Sequence, residues 1–218
     1  SSVPEYLRAS YEKDITDEFI EPAIIANSQK GAANDNLPVI QEGDALIFSD
    51  FREDSMRQLA HSFTDEAFDK FPRKIIENLL VATMTEYEKG IRALAAFPQL
   101  DISWPLSRVM GEADLRHLHI AETQKYAHVT YFFNGGKEKP FPGEERILIP
   151  SLTTAHFDEA PEMRAKEITA KILENLETQD VIIANFANAD MVGHSGNYQA
   201  AVRAVEILDE SLGRLADA

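Results

Sequence analysis

The sequence contains no cysteine, which excludes disulfide-stapled scaffolds, thiol catalysis and cysteine-based zinc sites. It also lacks an apolar run long enough to cross a membrane, and residues 1–5 show neither the basic nor the apolar part of a secretory signal. We therefore expect a cytoplasmic protein without a membrane partner. Basic residues are scarce, with 21 Lys and Arg against 37 Asp and Glu. Because DNA and RNA binding needs a clustered basic face, we expect no nucleic-acid partner.

The hydrophobic content of 44% over 218 residues is sufficient for a globular core. Short apolar runs alternate with segments of helical spacing, an order typical of an α/β fold with a mostly parallel central sheet. Strands are predicted at 45–48, 80–85, 118–121, 147–149 and 181–184. Helices are predicted at 55–61, 74–79, 105–111 and 161–176, and from residue 198 onward. In the last helix, the predicted apolar stripe is Val202, Val205, Leu208, Leu212 and Leu215.

Residues 123–134 allow two interpretations. The β-branched and aromatic side chains from Val129 to Phe133 favour a strand, whereas Ala127 and the polar start at Thr123 allow a helix. Residue preferences alone therefore favour the strand.

A polar stretch at 185–197 follows the predicted strand at 181–184, where open α/β sheets place their chemistry. Asp190 and His194 are four residues apart, so a helical turn there would place both side chains on one face. A carboxylate and an imidazole together suit a divalent cation such as Mn²⁺ or Zn²⁺. The alternative is a helix-start carboxylate beside a surface histidine, which spacing alone does not exclude.

Several blocks of the sequence resemble the phosphatase-type domain of the cofactor-independent (2,3-bisphosphoglycerate-independent) phosphoglycerate mutases, of the alkaline phosphatase superfamily. The similar blocks are collinear and comprise 44–48, 51–52, 83–87, 120–130, 133–136, 161–163 and 185–197. The resemblance implies a three-layer α/β sandwich, and it makes residues 123–133 a helix.

The resemblance also implies an activity and a site. Family members interconvert 3-phosphoglycerate and 2-phosphoglycerate through a phosphoserine, with two Mn²⁺ ions that neutralise charge on the transferring group. Asp190 and His194 match two ligands of one metal, and Lys125 matches a catalytic lysine near the phosphoryl group. Arg52 matches an arginine that binds the substrate.

Two residues depart from the family pattern, and both weaken the expectation of ordinary phosphoglycerate binding. Ser55 replaces a second arginine, and Asp50 stands where asparagine is usual. Arg57 lies two places beyond Ser55 and is a candidate to compensate.

The resemblance covers only the middle of a family enzyme. The nucleophilic serine, a metal-binding aspartate and most of a transferase domain are expected before residue 1, and an Asp-His pair and a later histidine after residue 218. Residues 1–43, with a polar loop at 27–36, are then the tail of the transferase domain and a linker. Residues 44–218 form a partial phosphatase-type, metal-binding domain. We expect the isolated chain to be inactive, and its open sheet edges to favour self-association. The alternatives are a non-catalytic partner-binding or vestigial domain and a divergent metal-dependent phosphatase.

Overall fold

The computed structural model describes residues 2–16, 19–24, 39–98 and 100–218. The described residues divide into two compact units, one formed by residues 1–27 and 102–218 and the other by residues 28–101. The polar loop predicted at 27–36 lies outside the described residues. Each unit contains its own three-stranded parallel sheet.

The sheet of the smaller unit consists of β1 (Ala45–Phe48), β2 (Leu80–Thr85) and β3 (Leu94–Phe97), in that order. Helix α2 (Glu53–Thr64) is longer at both ends than predicted. One face of α2 packs on this sheet. The buried cluster of this unit consists of Phe48, Ala60, Val81 and Tyr87. The predicted strands at 45–48 and 80–85 are confirmed.

Two features of this unit differ from the sequence-based expectations. Residues 74–79 are not helical: they run without regular structure into a turn at 77–78, where Asn78 has a positive φ of 52°. A six-residue segment cannot offset the cost of helix nucleation without favourable packing. Strand β3 was not predicted, because the short run that forms it carries two alanines, which strands disfavour.

The larger unit holds the remaining strands and helices. In chain order they are α1 (Val3–Tyr11), α3 (Leu106–Glu112), β4 (His117–Glu122), β5 (Glu144–Ile149), α4 (Ala165–Asn175), β6 (Val181–Asn185), α5 (Asn188–Gly193) and α6 (Tyr198–Ala216). The strand order is β5-β4-β6, all parallel, so that β4 lies in the middle. All six residues of β4 are buried.

Helices contact both faces of this sheet. On one face, Ile168 and Ile172 of α4 pack with Leu118 and Ile120 of β4 in one buried cluster. On the other face lies the segment 123–132, which begins as a 3₁₀-helix and ends as a π-helix at His128–Phe132. The strand that residue preference favours there is therefore wrong, and the helix implied by the resemblance is confirmed. Burial of Val129 and Thr130 outweighs the strand preference of these side chains.

Helix α4 begins four residues later than predicted. Residues 161–164 form a turn, in which Met163 is buried with a positive φ of 41°. Pro161 is thus not the first helical residue. The side-chain amide of Asn188 donates hydrogen bonds to the carbonyls of Pro161 (2.7 Å) and Glu162 (2.9 Å), which holds the turn instead.

Helix α6 buries a different side than the predicted apolar stripe. Its buried residues are Ala200, Ala204, Ile207 and Ser211. Of the predicted stripe, Val202, Val205 and Leu212 are exposed, whereas Leu208 and Leu215 are partly buried and Leu215 packs against the cluster of β4 and α4. Ala200 and Ala204 pack in the cluster that contains Ala187 and Val192 of the α5 region and Phe157, and these elements lie close to α6.

The parallel α/β class expected from the sequence is confirmed, with the described strands divided between two sheets. Across the described residues, no helix is both long and apolar enough to cross a membrane.

Candidate functional site

The carboxyl end of the β5-β4-β6 sheet is where the polar loops of the larger unit meet. Ala121 of β4 and Asn185 of β6 are in register, so the segments that follow these two strands start side by side. The segment after β4 carries Lys125, and the segment after β6 carries Asp190 and His194. This is the edge at which parallel sheets bind their ligands.

Asp190 and His194 lie on one face of the short helix α5. The backbone N–H of His194 donates to the carbonyl of Asp190 over 3.1 Å, which is one α-helical turn. The His194 Nε2 atom is 3.6 Å from Asp190 Oδ1, and both side chains are about half exposed. The helical turn that the spacing suggests is therefore present.

Buried residues on the opposite side hold α5 in place. Ala187 and Val192 belong to a core cluster with Met163 and Ala204. Asn188 is fully buried and binds the turn at 161–162 through its amide. These contacts leave the Asp190 face as the exposed one.

Lys125 reaches the same face from the neighbouring loop. Its ammonium group makes a short ion pair with Asp190 Oδ2, and its side chain is only 14% exposed. The positive charge is therefore held close to the Asp190–His194 pair, on a largely buried stem. A lysine so placed can stabilise negative charge on a group bound at this edge.

Glu122 is a buried carboxyl group at the end of β4 to which the sequence analysis gave no role. Its Oε2 atom accepts a hydrogen bond from the Ser151 hydroxyl at 2.9 Å, and Oε1 is buried without a hydrogen-bond partner. Burial raises the pKa of Glu122 above its ordinary value, although Ser151 and the backbone N–H of Arg164 act in the opposite direction. The signal available in the sequence was an acidic residue directly after the predicted strand at 118–121.

The donor atoms of Asp190 and His194 suit one divalent cation. The His194 Nε2 and Asp190 Oδ1 atoms lie 3.6 Å apart, close enough for both to contact one cation. The described residues contain no group of three or more His, Cys, Asp or Glu side chains placed to hold a metal. That Asp190 and His194 are metal ligands stays a prediction.

Arg52 lies in the smaller unit, just before α2. Its side chain is 61% exposed and pairs with Asp54 at 3.4 Å, while its backbone N–H donates to Asp50 Oδ1. Arg57, the candidate to compensate for Ser55, donates to the Tyr87 carbonyl and pairs with acidic neighbours. The structure thus brings together Lys125, Asp190 and His194, and the role of each, like that of Arg52, stays a prediction.

The other histidines are placed differently from one another. His119 is buried in β4, as expected of a structural residue, and so is His117. His128 is exposed, and its ring centre lies 5.5 Å from that of Phe132.

Comparison with known proteins agrees with this geometry. Residues 42–218 match the metalloenzyme superfamily. Among solved structures, one of Leishmania mexicana phosphoglycerate mutase at low cobalt concentration is similar, with a TM-score of 0.73 and 31% sequence identity. The similarity covers 99% of this chain and 40% of the Leishmania chain.

Curated relatives share the name 2,3-bisphosphoglycerate-independent phosphoglycerate mutase. The protein of Moorella thermoacetica is 48% identical over all of this chain, and that of Francisella tularensis is 45% identical. In both cases this chain spans 42% of the relative's length. The chain therefore belongs to the metalloenzyme superfamily, within which it is similar to the 2,3-bisphosphoglycerate-independent phosphoglycerate mutases.

Proposed function

We propose that this chain is part of a phosphoglycerate mutase that interconverts 3-phosphoglycerate and 2-phosphoglycerate, and that Asp190 and His194 hold one of its metal ions. The observation that carries the proposal is the contact of Lys125 with the Asp190–His194 pair at the carboxyl end of the sheet. The names of the curated relatives support the choice of reaction. We further propose Mn²⁺ as the metal and the cytoplasm, in glycolysis and gluconeogenesis, as the setting.

Each candidate residue has a distinct task in this proposal. When bound, the metal ions supply positive charge that activates the nucleophile and neutralises the phosphoryl group. Lys125 adds a fixed positive charge beside them, and Arg52 binds a carboxylate or phosphate of the substrate through its planar guanidinium. Residues 1–43 then form the tail of a transferase domain and a linker, and residues 44–218 a partial phosphatase-type domain.

The proposal predicts that the isolated chain does not turn over phosphoglycerate. The two metal ligands present leave most of a coordination sphere to water, so we expect Mn²⁺ binding weaker than about micromolar. Phosphoserine chemistry also needs a nucleophile at the metal site, and the resemblance assigns none to residues 1–218.

Calorimetric titration of the 218-residue chain with Mn²⁺ tests the metal assignment. Asp190→Asn and His194→Gln should each reduce the affinity at least about tenfold, because each removes one of two protein ligands. Asp209→Asn, a change in α6 away from the site, is the matched control and should leave the affinity unchanged. Equal binding by all four proteins would contradict the proposal.

An enzyme assay separates the proposed reaction from the alternatives. The longer protein should convert 3- to 2-phosphoglycerate, and Lys125→Met should lower kcat far more than it changes KM. Hydrolysis of phosphate monoesters without mutase activity would indicate the divergent phosphatase instead. A longer protein with neither activity would indicate the non-catalytic domain.

A further inference from the structure

Ser151 connects the end of β5 to the segment that carries Lys125. It lies two residues beyond Ile149, the last residue of β5, and Ile149 is in register with Glu122 of β4. The segments that leave these two neighbouring strands therefore start side by side, at the carboxyl edge of the sheet. Because β5 and β6 lie on opposite sides of β4, the loop after β5 approaches the Lys125 segment from the side away from β6.

Ser151 makes a hydrogen bond with each of the three residues that precede Lys125. Its hydroxyl donates to Glu122 Oε2 over 2.9 Å, and its backbone N–H donates to the Thr123 hydroxyl oxygen over 3.1 Å. The backbone N–H of Gln124 donates in turn to the Ser151 hydroxyl oxygen over 3.3 Å. A serine hydroxyl has one proton to donate and lone pairs with which to accept, so it makes both of its bonds at once.

Glu122 anchors this arrangement from inside the sheet. It is fully buried, and its Oε1 atom has no hydrogen-bond partner among the described residues. The Ser151 hydroxyl and the backbone N–H of Arg164 are therefore what offsets the burial of this carboxyl group. Because burial of a polar group without hydrogen bonds is costly, the Ser151 hydroxyl is kept oriented toward Glu122. Arg164 also holds the residue before Ser151, since its Nε atom donates to the Pro150 carbonyl over 3.0 Å.

The turn that carries Lys125 needs such external support. It is a single 3₁₀ turn, Thr123–Lys125, and so short a helical segment is not stable by itself. The side chains of Thr123 and Gln124 are exposed, so their burial does not hold the turn. The direction of this turn sets where the Lys125 side chain starts, and that side chain ends in the ion pair with Asp190.

We propose that Ser151 is a positioning residue of the mutase reaction, which holds the turn Thr123–Lys125 so that the Lys125 ammonium stays beside Asp190 and His194. This inference rests on the proposed function, in which Lys125 stabilises charge on the transferring phosphoryl group. Ser151 acts through Lys125 and has no chemical step of its own. Because a small displacement of a charged group weakens the transition state strongly, a loosened turn should lower kcat more than it changes substrate binding.

Kinetics of the longer protein test this role. Ser151→Ala removes both bonds of the hydroxyl and should lower kcat about tenfold or more, while KM changes by less than about twofold. Ser151→Thr keeps the hydroxyl and should retain kcat within about threefold of the wild type.

Ser107→Ala is the matched control for the loss of a buried serine hydrogen bond. The Ser107 hydroxyl donates to Asn134 Oδ1 over 2.6 Å, and Asn134 binds Glu144, the first residue of β5. This contact lies at the amino end of the sheet, opposite to the Lys125 edge. The control should leave kcat unchanged, and a loss of kcat equal to that of Ser151→Ala would contradict the proposal.

A double-mutant cycle separates positioning of Lys125 from a general structural role. In the Lys125→Met background, Ser151→Ala should lower kcat by less than about twofold, because the group that Ser151 positions is absent. An equal loss of kcat in both backgrounds would overturn the proposal. If Ser151→Ala does not fold, Thr123→Val takes its place in the cycle, since it removes the acceptor of the Ser151 N–H at an exposed side chain.

Amide hydrogen exchange of the 218-residue chain tests the positioning independently of the reaction. The Gln124 amide should exchange at least about tenfold faster in Ser151→Ala than in the wild type, because its acceptor is lost. The two Hε protons of Lys125, distinct in NMR spectra of a held side chain, should merge. Unchanged exchange and unchanged Lys125 signals would overturn the proposal. Faster exchange combined with a normal kcat for Lys125→Met would support the positioning and contradict the proposed function, so the two failures are distinct.

Discussion

Replacement of Asn188 by alanine should destabilise the larger unit, because this one side chain holds together two segments that are distant in sequence. Its buried amide donates to the carbonyls of Pro161 and Glu162, in the turn that precedes α4. Both carbonyls lose a partner in Asn188→Ala. The same turn keeps Met163 at a positive φ, a conformation that is itself costly for a non-glycine residue.

The expected size follows from the two hydrogen bonds. Each contributes about 0.5–1.5 kcal/mol net, and a carbonyl that is left without a partner away from water costs up to about 1–3 kcal/mol. Because Asn188 Oδ1 is itself buried without a partner, removing it recovers part of this cost. We expect Asn188→Ala to lower the free energy of unfolding by about 2–4 kcal/mol.

Urea denaturation followed by far-ultraviolet circular dichroism measures the effect. Asn175→Ala is the matched control, because its amide donates only to the Lys171 carbonyl within α4 and is partly exposed. We expect the control to cost about 0.5 kcal/mol or less. Asn188→Asp preserves the volume but places a carboxylate against two carbonyl oxygens, so it should cost at least as much as alanine. Losses below about 1 kcal/mol for Asn188→Ala, matching the control, would refute the reasoning.

Three further predictions concern single positions in the same unit. Glu122→Gln should raise the urea midpoint of unfolding at pH 7. Burial raises the pKa of Glu122 in the folded chain. The stability that its bound proton provides is therefore present at low pH and is lost as the pH rises through the pKa of the folded state. Urea denaturation of the wild type and of Glu122→Gln at several pH values from 4 to 8 checks this. A wild-type midpoint that does not decline relative to that of the variant as the pH rises would contradict the prediction. Gly143→Ala should cost more than about 2 kcal/mol, since Gly143 has a φ of 77° and an added Cβ would lie 2.3 Å from the Leu115 carbonyl oxygen. Gly213→Ala should instead raise the free energy of unfolding by about 0.5–1 kcal/mol, because Gly213 lies within α6 and has open space where the methyl group would be added. Thermal unfolding of the two glycine variants should therefore give midpoint shifts of opposite sign.

Much of the fold was predictable because it depends on local patterns. The apolar runs at 45–48, 80–85 and 181–184 formed strands, as short apolar runs favour. Asp190 and His194 are four residues apart and lie on one face of a helical turn, as their spacing predicts. A single turn needs only hydrogen bonds between residues that are close in the sequence. Strand β3 and the irregular segment at 74–79 escaped prediction, because neither has a strong local pattern.

The buried side of α6 shows why periodicity was not sufficient. The predicted stripe used the largest apolar residues, yet the buried side is formed by Ala200, Ala204 and Ile207. The neighbouring α5 comes close to this helix, and the side chains of α6 in the shared cluster are the small Ala200 and Ala204. Which side of a helix is buried depends on the shape of its neighbour, and that shape is absent from the helix's own sequence.

The sequence by itself determined the parallel α/β class, all the strands except β3 and the pairing of Asp190 with His194, because these depend on residues close together in the chain. The tertiary structure decided that residues 123–132 are helical, that Met163 occupies a turn, and that Lys125 contacts Asp190. Lys125 and Asp190 are separated by 65 residues, and they meet because β4 and β6 are parallel neighbours whose carboxyl ends share one edge. Strand pairing of this kind is set by packing across the whole unit, so no local pattern could specify it.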